Sequence, residues 1–186
     1  MHQGQRGTEP AIITNGYAQL AADVLDRAKA CGATEADIVV ADGETLSVQV
    51  RVGTVDRLTK AREKRLGLRG FIGKRSATTS TSDFTKDSLE RLVADTCTLA
   101  RAVVEDDVSG LPDAAQMATD QPSLDLYDET VLDTETQIDW AKRGEAAAFA
   151  ADPRITNSEG SEFDSSSGRV VLANSHGFVG SYKSSS

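Results

Sequence analysis

Few residues of this chain have the types and spacing needed for metal or nucleophilic chemistry. The sequence contains two histidines, His2 and His176, and two cysteines, Cys31 and Cys97. A zinc site requires several clustered His, Cys, Asp or Glu ligands, and neither H-E-x-x-H nor C-x-x-C spacing occurs. The sequence therefore predicts no catalytic, cofactor-binding or metal-binding residue in this chain.

His176 has serine neighbours, which is one element of a Ser-His-Asp hydrolase. Such an enzyme needs an activated serine beside the histidine, and the G-x-S-x-G elbow that would present one is absent. Sequence neighbours on a strand also point to opposite faces. The pattern favours a turn or bulge between two strands at His176-Gly177.

Basic residues are concentrated in one stretch, Arg51–Arg75, which contains nine Lys or Arg against two acids, Asp56 and Glu63. One interpretation is a nucleic-acid surface, but Phe71 is the only aromatic residue there, so stacking platforms are missing. The stretch could equally dock on an acidic subunit or on this chain's own acidic segment. A solvated sheet face is the simplest interpretation.

Acidic residues dominate a later stretch, Glu105–Asp139, which contains 11 of them and no Lys or Arg. Together with Pro112 and Pro122, this composition predicts a solvated, extended linker. The whole chain has a net charge of −9, which argues against general nucleic-acid binding.

Apolar residues at three- and four-residue steps predict three helices, which would position these stretches. They run from Thr14 or Asn15 to Gly32, from Thr85 to the acids at 105–107, and from Asp133 or Thr134 to about Ala151. Glu145 falls within the apolar face of the third helix by angle. We place it at the edge of that face, with pairing to a cation as the alternative.

Alternating or continuous apolar runs predict the strands between and after the helices. The expected strands are 36–41, 46–50 with a continuation past a bulge at Gly53 to Val55, 66–72, 75–82, 155–163, 169–173 and 178–182. Asp42-Gly43 is expected to form a hairpin turn between the first two, and Gly73-Lys74 another.

These elements predict an α+β fold: a helix, an antiparallel four-stranded sheet and a helix, followed by the start of a second helix-plus-antiparallel-strand unit. The expected divisions are a disordered start at 1–10, an N-terminal α+β domain at 11–106, an acidic linker at 107–132 and a second α+β domain at 133–186. Because the chain stops in strand-like sequence, we expect the natural protein to continue.

The cellular compartment is expected to be the cytoplasm. The first ten residues contain no apolar signal segment, and no stretch approaches the ~20 apolar residues of a membrane span. Unpaired cysteines are typical of a reducing compartment.

Three stretches resemble the TldD/PmbA family, whose members are also described as modulators of DNA gyrase. The first is Gly32-Ala33-Thr34-Glu35-Ala36-Asp37 with the strand from Val48 to Val55. The second is Leu66-Gly67-Leu68-Arg69 with the Ser/Thr-rich strand, Asp83 and the long helix. The third contains Arg154-Ile155-Thr156-Asn157-Ser158-Glu159-Gly160 and Asn174-Ser175-His176-Gly177, and it favours the PmbA (TldE) branch.

The resemblance implies a part in a cytosolic zinc metallopeptidase that acts on unfolded or flexible peptides. TldD-like members hold zinc through an H-E-x-x-x-H helix, and PmbA-like members lack it and pair with a TldD-like subunit. No cofactor is therefore expected in this chain, and zinc is expected in the TldD-like partner. The expected role here is structural, with an extended peptide substrate adding to the strand at Arg75–Ser82. The alternative is a non-enzymatic module that regulates a DNA-processing enzyme.

Overall fold

The computed structural model describes residues 11–186, with side chains from Gly16 onward. It contains three α-helices, α1 (Ala11–Ala30), α2 (Lys86–Ala102) and α3 (Thr134–Ala151), and a short 3-10 helix at Ala114–Gln116. Among the helices of this described part, none combines the length and the apolar character that a bilayer span requires. The predicted disordered start, residues 1–10, lies outside the described residues.

The starts of the second and third helices are confirmed. Thr85 is the N-cap residue of α2, and Asp133 is that of α3. The Asp133 carboxylate accepts a hydrogen bond from the Thr136 amide at 2.6 Å, which satisfies one of the amides that have no partner within the first helical turn. The first helix begins at Ala11, a few residues before the predicted start.

Five strands form one sheet, in the order β3-β2-β1-β4-β5. They are β1 (Glu35–Arg51), β2 (Thr54–Ile72), β3 (Arg75–Thr81), β4 (Ser161–Asn174) and β5 (Val179–Ser185). β2 and β3 are antiparallel, with Leu66 opposite Thr81 and Ile72 opposite Arg75, around the predicted turn at Gly73-Lys74. The α+β class and the antiparallel sheet are confirmed.

The predicted hairpin at Asp42-Gly43 is wrong, because β1 runs unbroken through both residues. A Cβ atom on Gly43 would lie 3.0 Å from the Ser167 carbonyl oxygen, so this glycine permits the close approach of the neighbouring backbone. A glycine inside a strand often marks such an approach. The turn lies instead at Val52-Gly53, where a bulge was expected.

The predicted bounds of two strands, 155–163 and 169–173, are also wrong. β4 is one strand that includes the serine-rich residues 164–168, which were expected to form a loop. Residues 155–160 have no regular secondary structure. Serines tolerate a strand when the neighbouring strand supplies backbone hydrogen bonds, and local composition does not reveal that neighbour.

The chain forms two compact units from interleaved segments. The first contains the described residues up to Ala41 with Arg65–Pro122 and Val170–Ser181, and the second contains Asp42–Lys64, Ser123–Arg169 and Tyr182–Ser186. The domain boundaries predicted from sequence stay a prediction.

The core of the first unit lies between helices α1 and α2 and the sheet. Its fully or nearly fully buried members come from both helices and from four stretches of strand or turn, and they are Ala21, Val24, Ala28, Ala33, Ala36, Ile38, Val40, Leu66, Leu68, Leu89, Leu92, Val93, Cys97, Val171 and Ala173. Burying a leucine, isoleucine or valine side chain contributes roughly 1.5 to 3 kcal/mol. This cluster is therefore a main source of stability for the unit.

A smaller core stabilises the second unit. Leu46, Val48 and Val50 of β1 pack with Ala141 of α3, and Ile138 and Phe163 lie against this cluster. Trp140 contacts the Phe163 ring edge to face at a centroid distance of 5.2 Å. α3 therefore covers the hairpin end of β1.

Both cysteines are free thiols. Cys97 is 1% exposed, as predicted for a small core residue, whereas Cys31 is only half-buried. Burial raises the pKa of the Cys97 thiol to about 11, and a hydrogen bond with Cys31 adds to the shift. A thiol with such a pKa is a poor nucleophile, which fits a packing role.

Candidate functional site: an open strand edge and two ordered turns

The serine- and threonine-rich strand β3 is the outermost strand on its side of the sheet. One face of β3 packs on α2: the Thr79 hydroxyl lies 2.5 Å from the Thr96 hydroxyl, and Thr96 donates to the Leu92 carbonyl at 2.8 Å. Gly70 of β2 allows this packing, because a Cβ atom there would lie 3.0 Å from the Thr96 methyl carbon. These contacts fix the position of β3 against α2.

The backbone of β3 presents hydrogen-bonding groups to its open edge. In a hairpin closed by a two-residue turn, the first facing pair exchanges hydrogen bonds and every second pair does so after it. With Ile72 opposite Arg75, the residues bonded to β2 are those at 75, 77, 79 and 81. The N–H and C=O groups of Ser76, Thr78 and Ser80 therefore point away from β2, as an added strand would require.

The Asn174-Ser175-His176-Gly177 motif forms the turn between β4 and β5, as predicted. The Asn174 side chain accepts hydrogen bonds from the amides of His176 at 3.0 Å and Phe178 at 3.1 Å. Gly177 has φ 89, a conformation that glycine adopts without steric cost. The Ser175 hydroxyl accepts from the Ala36 amide at 3.0 Å, which ties the turn to β1.

His176 connects that turn to Glu35 and to the segment after α2. Its Nε2 lies 3.0 Å from a Glu35 carboxylate oxygen, and its Nδ1 lies 3.0 Å from the Pro112 carbonyl oxygen. The second Glu35 oxygen accepts from the Leu111 amide at 3.0 Å. Both ring nitrogens therefore face oxygen atoms of the same chain.

These contacts leave His176 without a nitrogen for a serine hydroxyl or a metal ion. The hydrolase interpretation centred on His176 therefore finds no support in the geometry. Within residues 11–186, no group of three or more His, Cys, Asp or Glu is placed to hold a metal ion. The residues described do not fit a zinc site, and the prediction of none in the whole chain stays a prediction, because His2 lies outside them.

A buried carboxylate orders the turn between β1 and β2. Glu145 of α3 is 2% exposed, and its two oxygens accept hydrogen bonds from the amides of Val52 at 2.8 Å and Gly53 at 2.7 Å. The Gly53 amide is the main cause of a lowered pKa of the Glu145 carboxyl, and the Val52 amide, Ser158 and the Arg51 charge act in the same direction. The prediction that Glu145 lies at the edge of the helix face is wrong, because the side chain is buried. The two backbone amides supply the hydrogen bonds that a buried carboxylate needs.

The same turn is strained at Val52. Val52 has φ 50 and Gly53 has φ 74, which are the positive values of a type I′ turn. A β-branched residue adopts this conformation at a cost of about 1 to 2 kcal/mol, whereas asparagine tolerates it.

Replacing Val52 by asparagine is therefore expected to raise the free energy of unfolding by about 1 kcal/mol. Val52 is 62% exposed, so little packing is lost. Urea unfolding followed by circular dichroism measures the change. Val55→Asn, at an exposed strand position next to the turn, is the control, and an equal gain in both variants would contradict the role of the turn.

The basic stretch lies on exposed strand surface, and several of its cations pair with the chain's own acids. Arg57 lies 3.5 Å from Glu162, and Arg75 lies 3.3 Å from Glu105. The Lys74 ammonium donates to the Ser109 carbonyl at 3.1 Å. Contacts between the basic stretch and the acidic segment therefore exist at 74–75, as one of the open interpretations anticipated.

Sequence models of two domains match the chain. "PmbA/TldA metallopeptidase domain 1" matches residues 36–118, and "PmbA/TldA metallopeptidase central domain" matches residues 127–186. The chain belongs to the PmbA/TldD family. The resemblance drawn from the strand, helix and turn motifs is confirmed.

Two curated relatives are named for PmbA. The chain is 34% identical to the metalloprotease PmbA homolog of Haemophilus influenzae over 81% of this chain and 33% of that protein. It is 33% identical to metalloprotease PmbA of Escherichia coli O157:H7 over 79% of this chain and 33% of that protein. The chain thus spans about a third of the length of these relatives.

Solved structures share the fold. A protein from Bacteroides thetaiotaomicron described as a modulator of DNA gyrase superposes with a TM-score of 0.85 at 26% identity, over 93% of this chain and 40% of that one. TldE from Thermococcus kodakarensis gives a TM-score of 0.72 at 14% identity, over 89% and 37%. The second similarity concerns the fold alone.

Sequence reasoning missed the Glu35–His176 contact and the role of Glu145. The sequence contained one indication of the role of Glu145: it is an acidic residue within the apolar face of an amphipathic helix, and such a residue often has a specific partner. Its partners are backbone amides, and these leave no trace in residue identity.

Proposed function

We propose that this chain is the N-terminal part of a PmbA/TldE-like subunit in a cytosolic zinc metallopeptidase complex that acts on unfolded or flexible peptides. Family membership supports the subunit class. In this proposal a TldD-like partner supplies the zinc and the bond-breaking groups, as the family resemblance implies, and the residues described here contribute no metal site. This chain contributes framework and guides the substrate.

The observation that carries the guiding role is the open edge of β3. An extended peptide placed beside β3 would exchange backbone hydrogen bonds with Ser76, Thr78 and Ser80. Backbone pairing recognises an unfolded chain largely without regard to its sequence, which suits a peptidase for flexible substrates. Contact with α2 holds β3 in place, so little ordering cost falls on the protein.

The test is a proline at an outward-facing amide of β3. Thr78→Pro removes one edge donor and places a ring in the path of an added strand, while the bonds to β2 are kept. Thr78→Ala, which keeps the amide, is the matched control. With the TldD-like subunit present, Thr78→Pro is expected to weaken binding and cleavage of a labelled Thr/Val-alternating peptide about tenfold, and Thr78→Ala less than about twofold.

The assay has two further arms. Thermal unfolding of both variants checks that the fold is kept, and this chain alone is expected to cleave nothing. Equal binding by wild type and Thr78→Pro would overturn the guiding role of β3. Cleavage by this chain alone would overturn the assignment of the chemistry to the partner.

The alternative, a module that regulates a DNA-processing enzyme, draws on the name of the Bacteroides relative and on the basic residues at 51–75. The pairing of Arg57 and Arg75 with acids of the same chain reduces the charge available for phosphates. The peptidase subunit is therefore the function that the site supports best.

A further inference from the structure

A second open strand edge lies on the first part of β2. β3 pairs with residues 66–72 of β2, and within residues 11–186 no other strand neighbours β2 on that side. Every residue from 54 to 64 is exposed except Ala61, which is half-buried. These residues, 54–64, are called the basic edge below.

We propose that the basic edge binds an extended acidic segment of a partner protein by strand addition. Native proteins keep free edges short or cover them, because unpaired backbone groups recruit other strands. This edge is long, and it exposes two large apolar side chains, Val55 at 42% and Leu58 at 45%. A partner strand would cover both the backbone groups and this apolar surface.

The charges of the basic edge indicate the chemistry of that partner. Lys60, Arg62 and Lys64 follow one another at two-residue steps, which places them on one face of the strand. Carboxylates at alternate positions of an added strand would face these cations, and opposite charges across a strand pair stabilise it. Arg62 lies 3.4 Å from Asp42 and keeps 76% of its side chain exposed.

The basic edge is ordered before any partner arrives. Glu145 fixes the adjacent turn through the amides of Val52 and Gly53. β1, which pairs with β2, is held by the packing of Val48 and Val50 against α3. An ordered edge loses little conformational entropy on binding, so backbone pairing yields more affinity.

Other occupants fit less well. A second copy of this chain would bring the same cations against each other. Nucleic acid would meet Asp56 and Glu63 among the cations, and no aromatic side chain occurs between residues 51 and 65 for base stacking. An acidic strand would pair with the open backbone groups of the basic edge and would also place carboxylates opposite its cations.

The experiment uses three labelled peptides of equal charge that contain the same numbers of glutamate and threonine residues, measured by fluorescence anisotropy at low salt. The first alternates glutamate with threonine, the second groups its glutamates in one block, and the third is the alternating peptide with every second amide N-methylated. The alternating peptide is expected to bind at least about tenfold more tightly than either control, because only it offers both paired amides and facing carboxylates.

Charge reversal in the protein gives the second arm. Lys60→Glu/Lys64→Glu is expected to weaken binding of the alternating peptide about tenfold or more. Lys29→Glu/Lys142→Glu, at exposed helical lysines with the same change in net charge, is the matched control and is expected to weaken it less than about twofold. Thr78→Pro on β3 should leave this binding unchanged, which separates the two edges.

Four outcomes would overturn the proposal. Equal binding of the three peptides would indicate nonspecific attraction. Tighter binding of a DNA duplex than of the alternating peptide would indicate a nucleic-acid interface. Dimers that Lys60→Glu/Lys64→Glu abolishes would indicate a second copy of the chain. Absence of binding at low salt would show that the cations only protect the edge from association.

Discussion

Replacement of Glu145 by glutamine is expected to lower the midpoint of thermal unfolding by about 5 to 10 °C at neutral pH. The carboxylate accepts two backbone hydrogen bonds at the β1–β2 turn, one on each oxygen. A glutamine has one acceptor oxygen, and its amide NH2 would face the second backbone N–H. One buried donor therefore loses its partner, and the remaining bond is no longer assisted by charge.

The effect of Glu145→Gln should depend on pH in a defined direction. Its backbone hydrogen bonds lower the pKa of the Glu145 carboxyl in the folded state. A lowered folded pKa contributes stability that is present above the unfolded value, about 4.3 for glutamate, and is lost as the pH falls through the folded value. The difference between wild type and Glu145→Gln should thus be constant from pH 6 to 8 and shrink in acid.

Calorimetry across this pH range makes the measurement. Glu135→Gln, at an exposed glutamate in the first turn of the same helix, is the control and should shift the midpoint by no more than about 2 °C. Equal midpoints for wild type and Glu145→Gln at pH 7 would contradict the role given to this carboxylate. So would a difference that persists undiminished in strong acid.

Replacing Gly70 by valine is expected to lower the free energy of unfolding by about 1 to 3 kcal/mol. Gly70 is buried, and a Cβ atom there would lie 3.0 Å from the Thr96 methyl carbon on α2. Two further methyl groups would push α2 away from β2 and disturb the hydroxyl contact between Thr79 and Thr96. The same change would loosen β3, whose position depends on that contact.

A second substitution at Thr96 makes this prediction specific. Thr96→Ser removes the methyl group that valine would meet and keeps the hydroxyl that contacts Thr79. The double variant should therefore recover part of the stability lost in Gly70→Val, with a coupling of about 0.5 kcal/mol or more in a double-mutant cycle of urea unfolding. Simple additivity of the two changes would contradict the steric explanation.

Local signals in the sequence were sufficient for the helices and for one hairpin. Thr85 and Asp133 occupy the N-cap positions of α2 and α3, where short polar residues are preferred, and that preference acts within a few residues. The Asp133 carboxylate accepts a hydrogen bond from the Thr136 amide, whereas the Thr85 side chain makes no capping hydrogen bond. The turn at Gly73-Lys74 likewise follows from its own residues. In contrast, a turn was predicted at Gly43 because glycine is common in turns. In the structure Gly43 lies inside a strand, where the absence of a Cβ atom allows the Ser167 backbone to approach closely.

The candidate site was predicted in part. The Ser/Thr-rich strand was selected from composition, but its outermost place in the sheet follows from strand order, which no residue of β3 encodes. His176-Gly177 was correctly assigned to a turn. The contact of His176 with Glu35 joins residues far apart in the chain, and sequence patterns of period two or four carry no information on such pairs.

The sequence by itself determined the family, the α+β class, the N-cap positions of the second and third helices, and the concentration of positive charge at 51–75. Only the tertiary structure decided that β1 and β4 are single long strands and that Glu145 is buried against backbone amides. It also decided that, among residues 11–186, no strand neighbours the outer edges of β3 and of the first part of β2. The physical reason is range: helix caps and tight turns are fixed by neighbours in sequence. Strand order, close backbone approach and the partner of a buried charge depend on groups that folding alone brings together.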